Sequence, residues 1–192
     1  MTRLALTLIA ALSPLLMATA AADPAAHLPV QETYNKADMI GRVPHGWPGF
    51  CSDHPEFCFK IPAAAPLGRD AMPTLSRINR DVNASIFRLK TLDPIGWQIA
   101  PARGDCNDFA VTKLARLVAA GVPRGALRLA AVITPKGDPH LVLVAETVSG
   151  SVVLDSLRDE ILRWDATGYR WVSAEMNLPG VSMAWRLVED GK

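Results

Sequence analysis

The strongest constraint on the fold is a change of period between Pro123 and Leu127. Upstream, Leu75, Ile78, Val82, Ile86 and Leu89 recur at three- and four-residue steps. That spacing puts them on one face of a helix over Pro73 to Lys90, with Pro73 suited to the first turn. Asn79 and Asn83 fall near the rim of that face. A second helix is predicted over Cys106 to Ala120, with Phe109, Ala110, Leu114, Leu117 and Val118 at helical spacing and Lys113 as the polar exception. Asp105 is its natural N-cap, and Gly121 and Pro123 mark its stop. Downstream, Leu127 to Ile133, His140 to Glu146, Ser151 to Asp155, Tyr169 to Ala174 and Met183 to Val188 are short runs rich in Val, Leu, Ile and Trp. Turn formers separate them, and Ser149-Gly150 predicts an antiparallel hairpin. Helices first and strands after predict an α+β domain, with N-terminal helices packed on an antiparallel sheet.

The ends of the chain narrow the class. Arg3 precedes an apolar stretch from Leu4 to Met17, and Ala18-Thr19-Ala20 and Ala20-Ala21-Ala22 are both small-residue cleavage sites. Residues 1–22 therefore read as a secretory signal peptide, so the mature protein is expected outside the cytoplasm. No later apolar run approaches the ~18 residues of a membrane span, so no stable membrane insertion is expected after cleavage. The whole chain carries 20 Lys and Arg against 19 Asp and Glu. Removing Arg3 leaves the mature part neutral, which argues against a nucleic-acid footprint. Apolar residues at 49% and charged residues at 20% exclude a disordered tail. Residues 23–72 are Pro-rich with no sustained period and read as an irregular arm, and residues 73–192 read as the folded domain. A monomer is the default expectation.

An exported chain meets oxidant, so its cysteines tend to pair. There are 3 of them. Cys51 and Cys58 sit close together in a turn-rich segment, Trp47 to Cys58, and make a natural local bridge. Zinc is the weaker reading there, because the spacing is not that of a knuckle and His54 stands between the cysteines. Cys106 is then the odd one out, which suggests a free reactive thiol or an intermolecular bridge.

Cys106 opens a predicted helix, where unpaired amides and the macrodipole favour an anion and are expected to lower a thiol's pKa. A thiolate nucleophile needs a positioned base. After Cys106 the sequence offers one histidine, His140, at the start of a predicted strand. The imidazole in turn needs an orienting acceptor. Asp155, Asp159 and Glu160 are the candidates, and Asp155 is preferred because it follows the buried-looking run Val152-Val153-Leu154. Mirror pairing across Ser149-Gly150 sets His140 roughly opposite 159 or 160, so a register shift or bulge is expected to bring Asp155 near it. Taken together these residues predict a Cys106, His140, Asp155 catalytic triad for acyl transfer.

Arg103-Gly104-Asp105-Cys106-Asn107-Asp108-Phe109-Ala110, followed by Leu127-Arg128-Leu129, His140-Leu141-Val142-Leu143 and Val153-Leu154-Asp155, form an ordered pattern. With the Trp47 to Cys58 segment, Asn79 and Asn83, and Trp97 ahead of the cysteine, it resembles the bacterial transglutaminase-like cysteine proteinases of LapG type. The resemblance implies a papain-like, transglutaminase-like fold and a thiol peptidase that cuts a protein substrate, a cell-surface adhesin whose release frees biofilm cells. It also implies calcium as a cofactor, held by acidic residues flanking the cysteine. Asp105 matches the first. Asn107 stands where the second, a glutamate, is expected, so one formal charge is missing and affinity should fall. Asp108 either compensates or stabilises the helix N-terminus.

Three functions fit these residues. One is the endopeptidase. A second keeps the thioester chemistry in a protein-crosslinking transglutaminase or a peptidoglycan-peptide hydrolase. The third is a non-catalytic binding module on the same fold.

Overall fold

A computed structural model describes residues 27–29, 43–89, 96–178 and 181–188. The signal-peptide segment and most of the arm before residue 43 lie outside the described residues. The helices are α1 (Trp47–Asp53), α2 (Met72–Ser85) and α3 (Cys106–Ala119). The strands are β1 (Phe87–Arg88), β2 (Arg103–Gly104), β3 (Leu127–Ile133), β4 (Pro139–Thr147), β5 (Gly150–Leu154), β6 (Leu162–Arg163), β7 (Arg170–Leu178) and β8 (Val181–Leu187). One sheet of six strands runs in the order β6-β5-β4-β3-β7-β8, with every pair antiparallel. β1 and β2 form a separate parallel pair. This is the expected α+β arrangement, helices against an antiparallel sheet.

β4 is the central element. Leu141, Leu143 and Ala145 face a core that also takes Leu75, Ile78 and Val82 of α2 and Phe109, Leu114 and Leu117 of α3. Val142 and Val144 face a second core with Tyr169, Trp171 and Val188. A strand stretch covered on both faces has no polar side to show, which is why Leu141 to Ala145 is an unbroken apolar run. The second face is closed in part by the arm. Leu28 is buried there, its amide donates to Ser151 Oγ at 2.8 Å, and His27 meets Glu146 at 3.0 Å.

Part of the arm read as irregular is ordered. The seven-residue α1 follows Gly46, and Cys51 and Cys58 are joined by the expected disulfide. Trp47 and Phe50 of α1 are buried against Trp97 and Trp185. Arg124 ties this segment to the sheet. Its Nε donates to the Phe57 carbonyl at 2.9 Å and its Nη2 to Glu175 Oε1 at 2.5 Å. Burial pushes the Glu175 carboxyl up, and the Arg124 charge pulls against that. Among the described residues no helix is long and apolar enough to cross a membrane.

Other boundaries depart from the sequence reading. α2 ends at Ser85 rather than running to Lys90, because Ile86 turns to an extended conformation and Phe87 pairs with Arg103. The β4–β5 hairpin pairs Thr147 with Gly150, so its two-residue loop is Val148-Ser149. The register is therefore different from the mirror pairing expected above. Leu143 faces Leu154 and the ladder stops there.

Candidate active site

That register places the residues of interest. With Leu143 opposite Leu154, the next residue on β5 would oppose Val142, and His140 is its diagonal neighbour on the same side of the strand. No bulge is needed. β5 ends at Leu154, so Asp155 turns out of the ladder and Nε2–H of His140 donates to its Oδ1 at 2.8 Å. Both side chains are buried, at 5% and 1% exposure. Asp159 and Glu160, the other candidate orienters, are exposed.

Asp155 is held from every side. Its Oδ1 also accepts the Leu157 amide at 2.9 Å, and its Oδ2 accepts the Tyr169 hydroxyl at 2.5 Å and lies 3.4 Å from Arg158 Nε. Burial opposes its charge. The hydrogen bond and charge of His140, the Leu157 amide and the Tyr169 hydroxyl outweigh that and hold the carboxyl down at about 2. Burial, together with the Asp155 contact, pushes the Tyr169 phenol up to about 12. Tyr169 also meets the His140 ring edge-on, with centroids 5.9 Å apart.

The turn carrying Asp155 is fixed from α2. Asn79 is fully buried rather than at a rim, and its Nδ2 donates to the Arg158 and Asp159 carbonyls at 3.1 and 3.0 Å. Asn83 Nδ2 donates to the Asp155 and Arg158 carbonyls, both at 3.0 Å, and to Asp159 Oδ1 at 2.8 Å.

Cys106 is the first residue of α3. Asp105 caps the helix by accepting the Asn107 amide at 2.7 Å, and Asp108 reciprocates by accepting the Asp105 amide at 2.8 Å, a closed capping box. Asp108 Oδ1 takes a further amide, that of Gln98, at 2.7 Å, so it serves the helix N-terminus and the adjoining loop together. Residue 104 has to be glycine in this arrangement. A Cβ there would lie 2.5 Å from Asp108 Oδ2 and 2.7 Å from its Cβ.

The thiol is not lowered as its helix-start position suggests. Burial dominates and pushes it up to about 11, with the charges of Asp105 and Asp108 adding to the rise. Two amides pull the other way, that of Leu141 and its own. Leu141 lies beyond the end of the β4–β5 ladder, which leaves its N–H for the sulfur.

Cys106 and His140 line one cavity of about 440 Å³. Nε2 of His140 is committed to Asp155, so Nδ1 is the nitrogen available to it. Trp97, Leu141 and Ala131 give the cavity an apolar wall, and Asn107 and His45 stand at its rim. Gly46 lets the α1 entrance close on Trp97, since a Cβ there would fall 2.4 Å from the indole Nε1. Tyr169, Arg158, His45 and the Leu141 amide carry no local signal in the sequence. They reach the site from distant positions or as backbone.

The expected metal ligands are weakly equipped. The Asp105 carboxylate serves as helix cap, Asp108 is spent on two amides, and Asn107 offers one neutral oxygen. Among the described residues no group of three or more His, Cys, Asp or Glu could hold a metal ion. Calcium needs six to eight oxygens, so these side chains do not by themselves make its cage.

A sequence model of the bacterial transglutaminase-like cysteine proteinases matches residues 38–192. No protein of curated function matches. Among solved structures the chain is similar to LapG of Legionella pneumophila. The calcium-bound form is 27% identical with a TM-score of 0.52, over 62% of this chain and 70% of that one. A further LapG structure is 27% identical with a TM-score of 0.50, over 63% and 70%. The EGTA-treated form is 29% identical with a TM-score of 0.47, over 54% and 62%, so the match spans less than two thirds of that chain.

Proposed function

Since the chain belongs to the bacterial transglutaminase-like cysteine proteinases, we propose that it is an exported, periplasmic cysteine endopeptidase using Cys106, His140 and Asp155. The observation that carries this is the 2.8 Å His140–Asp155 hydrogen bond at the edge of the cavity that Cys106 lines. Asp155 fixes the ring so that Nδ1 is the basic nitrogen and stabilises the imidazolium formed during reaction. A thiol held near 11 is a neutral resting group at pH 7. It reacts by general-base catalysis: as the sulfur attacks a peptide carbonyl, its proton passes to His140 Nδ1. The Cys106 amide at the helix N-terminus stabilises the developing oxyanion. The imidazolium then protonates the leaving amine, the C–N bond breaks, and a thioester to Cys106 remains. Water, giving a proton to the same nitrogen, attacks the thioester carbon, the C–S bond breaks to release the acid, and the imidazolium returns its proton to the Cys106 sulfur.

The substrate is a protein with small or apolar residues at the scissile site, matched to the apolar cavity wall, and a cell-surface adhesin is the class the family resemblance favours. Asp105 and Asn107 supply two oxygens to a weak calcium site, and no step above depends on that ion. The test is cleavage of purified surface protein by the mature chain, with new termini identified by mass spectrometry. Cys106→Ala and His140→Ala should abolish cleavage and keep the fold. The same termini appearing with His140→Ala would refute the triad. Incorporation of a primary amine in place of cleavage would move the chain to the transferase reading.

A further inference from the structure

Tyr169 is no member of the triad, yet it touches two of its members. Its hydroxyl donates to Asp155 Oδ2 at 2.5 Å, and its ring meets the His140 ring edge-on with centroids 5.9 Å apart. The sheet brings it there from two strands away. Val132 of β3 pairs with His140 on β4 and with Trp171 on β7, and Tyr169 lies just ahead of Trp171. The turn before it is fixed. Gly168 has a left-handed φ of 72°, and Thr167 Oγ1 donates to the Trp164 carbonyl at 2.8 Å and accepts the Tyr169 amide at 3.3 Å. The ring itself is buried in the second core.

The groups around the hydroxyl decide where its proton points. Arg158 Nη2 lies 3.3 Å from the oxygen, and a guanidinium only donates. The oxygen therefore accepts from Arg158 and sends its own proton to Asp155. With the phenol pushed up to about 12, that proton stays in place at neutral pH. Arg158 also stands over the Tyr169 ring, 5.3 Å from its centroid, with Nε 3.4 Å from Asp155 Oδ2. A buried tyrosine needs an acceptor, and any carbonyl would satisfy it. Here the acceptor is the second oxygen of the carboxylate that holds His140. The last torsion of an aspartate is soft and nearly two-fold, so a carboxylate held through one oxygen can swing. Asp155 Oδ1 carries both His140 Nε2–H and the Leu157 amide, at 2.8 and 2.9 Å. With Tyr169 on Oδ2, the two oxygens cannot exchange roles without breaking a hydrogen bond on each.

We propose that Tyr169, backed by Arg158, is a positioning residue for the triad: its hydroxyl pins Asp155 Oδ2, so that Oδ1 alone serves His140 and the ring stays with Nε2 protonated and Nδ1 open to the cavity. This deepens the triad reading and rests on it.

The test is Tyr169→Phe in the full mature chain, which removes the hydroxyl and keeps the ring beside His140. In the wild type the His140 Nε2–H, buried against a carboxylate, should give a low-field proton NMR resonance that exchanges slowly with water, assigned by its absence in His140→Ala. In Tyr169→Phe that resonance should be lost to exchange. For cleavage of surface protein, kcat should fall by about 10- to 100-fold with KM unchanged, as expected for one hydrogen bond to a charged group. Val188→Ala loosens the same core without touching the hydroxyl. It should lower the melting temperature and keep both the resonance and kcat. A Tyr169→Phe protein with the resonance and kcat of the wild type overturns the proposal, and so does a resonance lost equally in Val188→Ala. Should phenylalanine fail to fold, Arg158→Met, at a side chain 30% exposed, must speed exchange of the same proton. The two readings fail separately. Cleavage that needs Cys106 and His140 but is untouched by Tyr169→Phe removes Tyr169 alone. A resonance lost in Tyr169→Phe, in a chain that cleaves no protein, upholds the positioning and removes the peptidase.

Discussion

Replacing Asp155 by asparagine tests both the site and its energetics. The carboxylate accepts from His140, Leu157 and Tyr169 and pairs with Arg158. These contacts hold its pKa at about 2 against 3.8 for the unperturbed group. The difference, 3.8 minus about 2, corresponds to roughly 2–3 kcal/mol of folding stability. The sign follows from the folded value lying below the unfolded one. The contribution is whole above about pH 4 and is lost as pH falls through about 2. In Asp155→Asn the side-chain amide keeps an acceptor for His140 and Leu157 but turns an NH2 toward Tyr169 and Arg158, where no donor is wanted. Urea denaturation followed by tryptophan fluorescence should therefore show the variant about 2–3 kcal/mol less stable at pH 7, with the gap reduced to roughly half near pH 3. Turnover should fall by about 10³–10⁴, because an amide no longer selects the tautomer that leaves Nδ1 basic. A stability gap that stays constant from pH 7 to pH 3 would refute the electrostatic account, and wild-type turnover would refute the catalytic one.

Two further outcomes are expected. Arg124→Ala strands the buried Glu175 carboxyl and should cost about 3–5 kcal/mol in urea denaturation, whereas Arg124→Met with Glu175→Met should recover most of it; equal losses in the two proteins would mean the pair is not what matters. Calcium added to the chelator-treated protein should bind weakly, with Kd on the order of 10⁻⁴–10⁻³ M, and Asn107→Glu should tighten it, read as calorimetric heat and a higher melting temperature. An unchanged affinity in Asn107→Glu would place the ion elsewhere.

The parts of this fold that are legible in sequence are those whose own residues carry a period. α3 and β3 lie where the spacing puts them, within a residue, because each is long enough for its buried face to repeat. α1 is invisible to that reading, being short and containing Pro48 and Gly49. β1, β2 and β6 are two residues each and have no period to read. Spacing alone draws α2 too long because Ile86 and Leu89 continue it, although Ile86 is buried from an extended backbone. At the site, the order of Cys106, His140 and Asp155 is readable, but Ser149-Gly150 sets the hairpin turn a residue late and so calls for a bulge that does not exist. The thiol escapes the sequence for a different reason. A helix start is a local feature, whereas the burial that governs Cys106 comes from the sheet and the cavity walls.

The capping box at the start of α3 has a consequence for anyone wishing to move Cys106 to another scaffold. Gly104 exists to make room for Asp108, and Asp108 spends one oxygen on the backbone of Asp105 and the other on that of Gln98. A Cβ at 104 would collide with Asp108, and the loop at Gln98 is fastened to the same carboxylate as the helix that bears the sulfur. Residues 97–108 thus hold the Trp97 side of the cavity and the Cys106 sulfur in a common frame. A graft that carried the cysteine and its helix alone would arrive without the Trp97 side of the cavity that Cys106 lines.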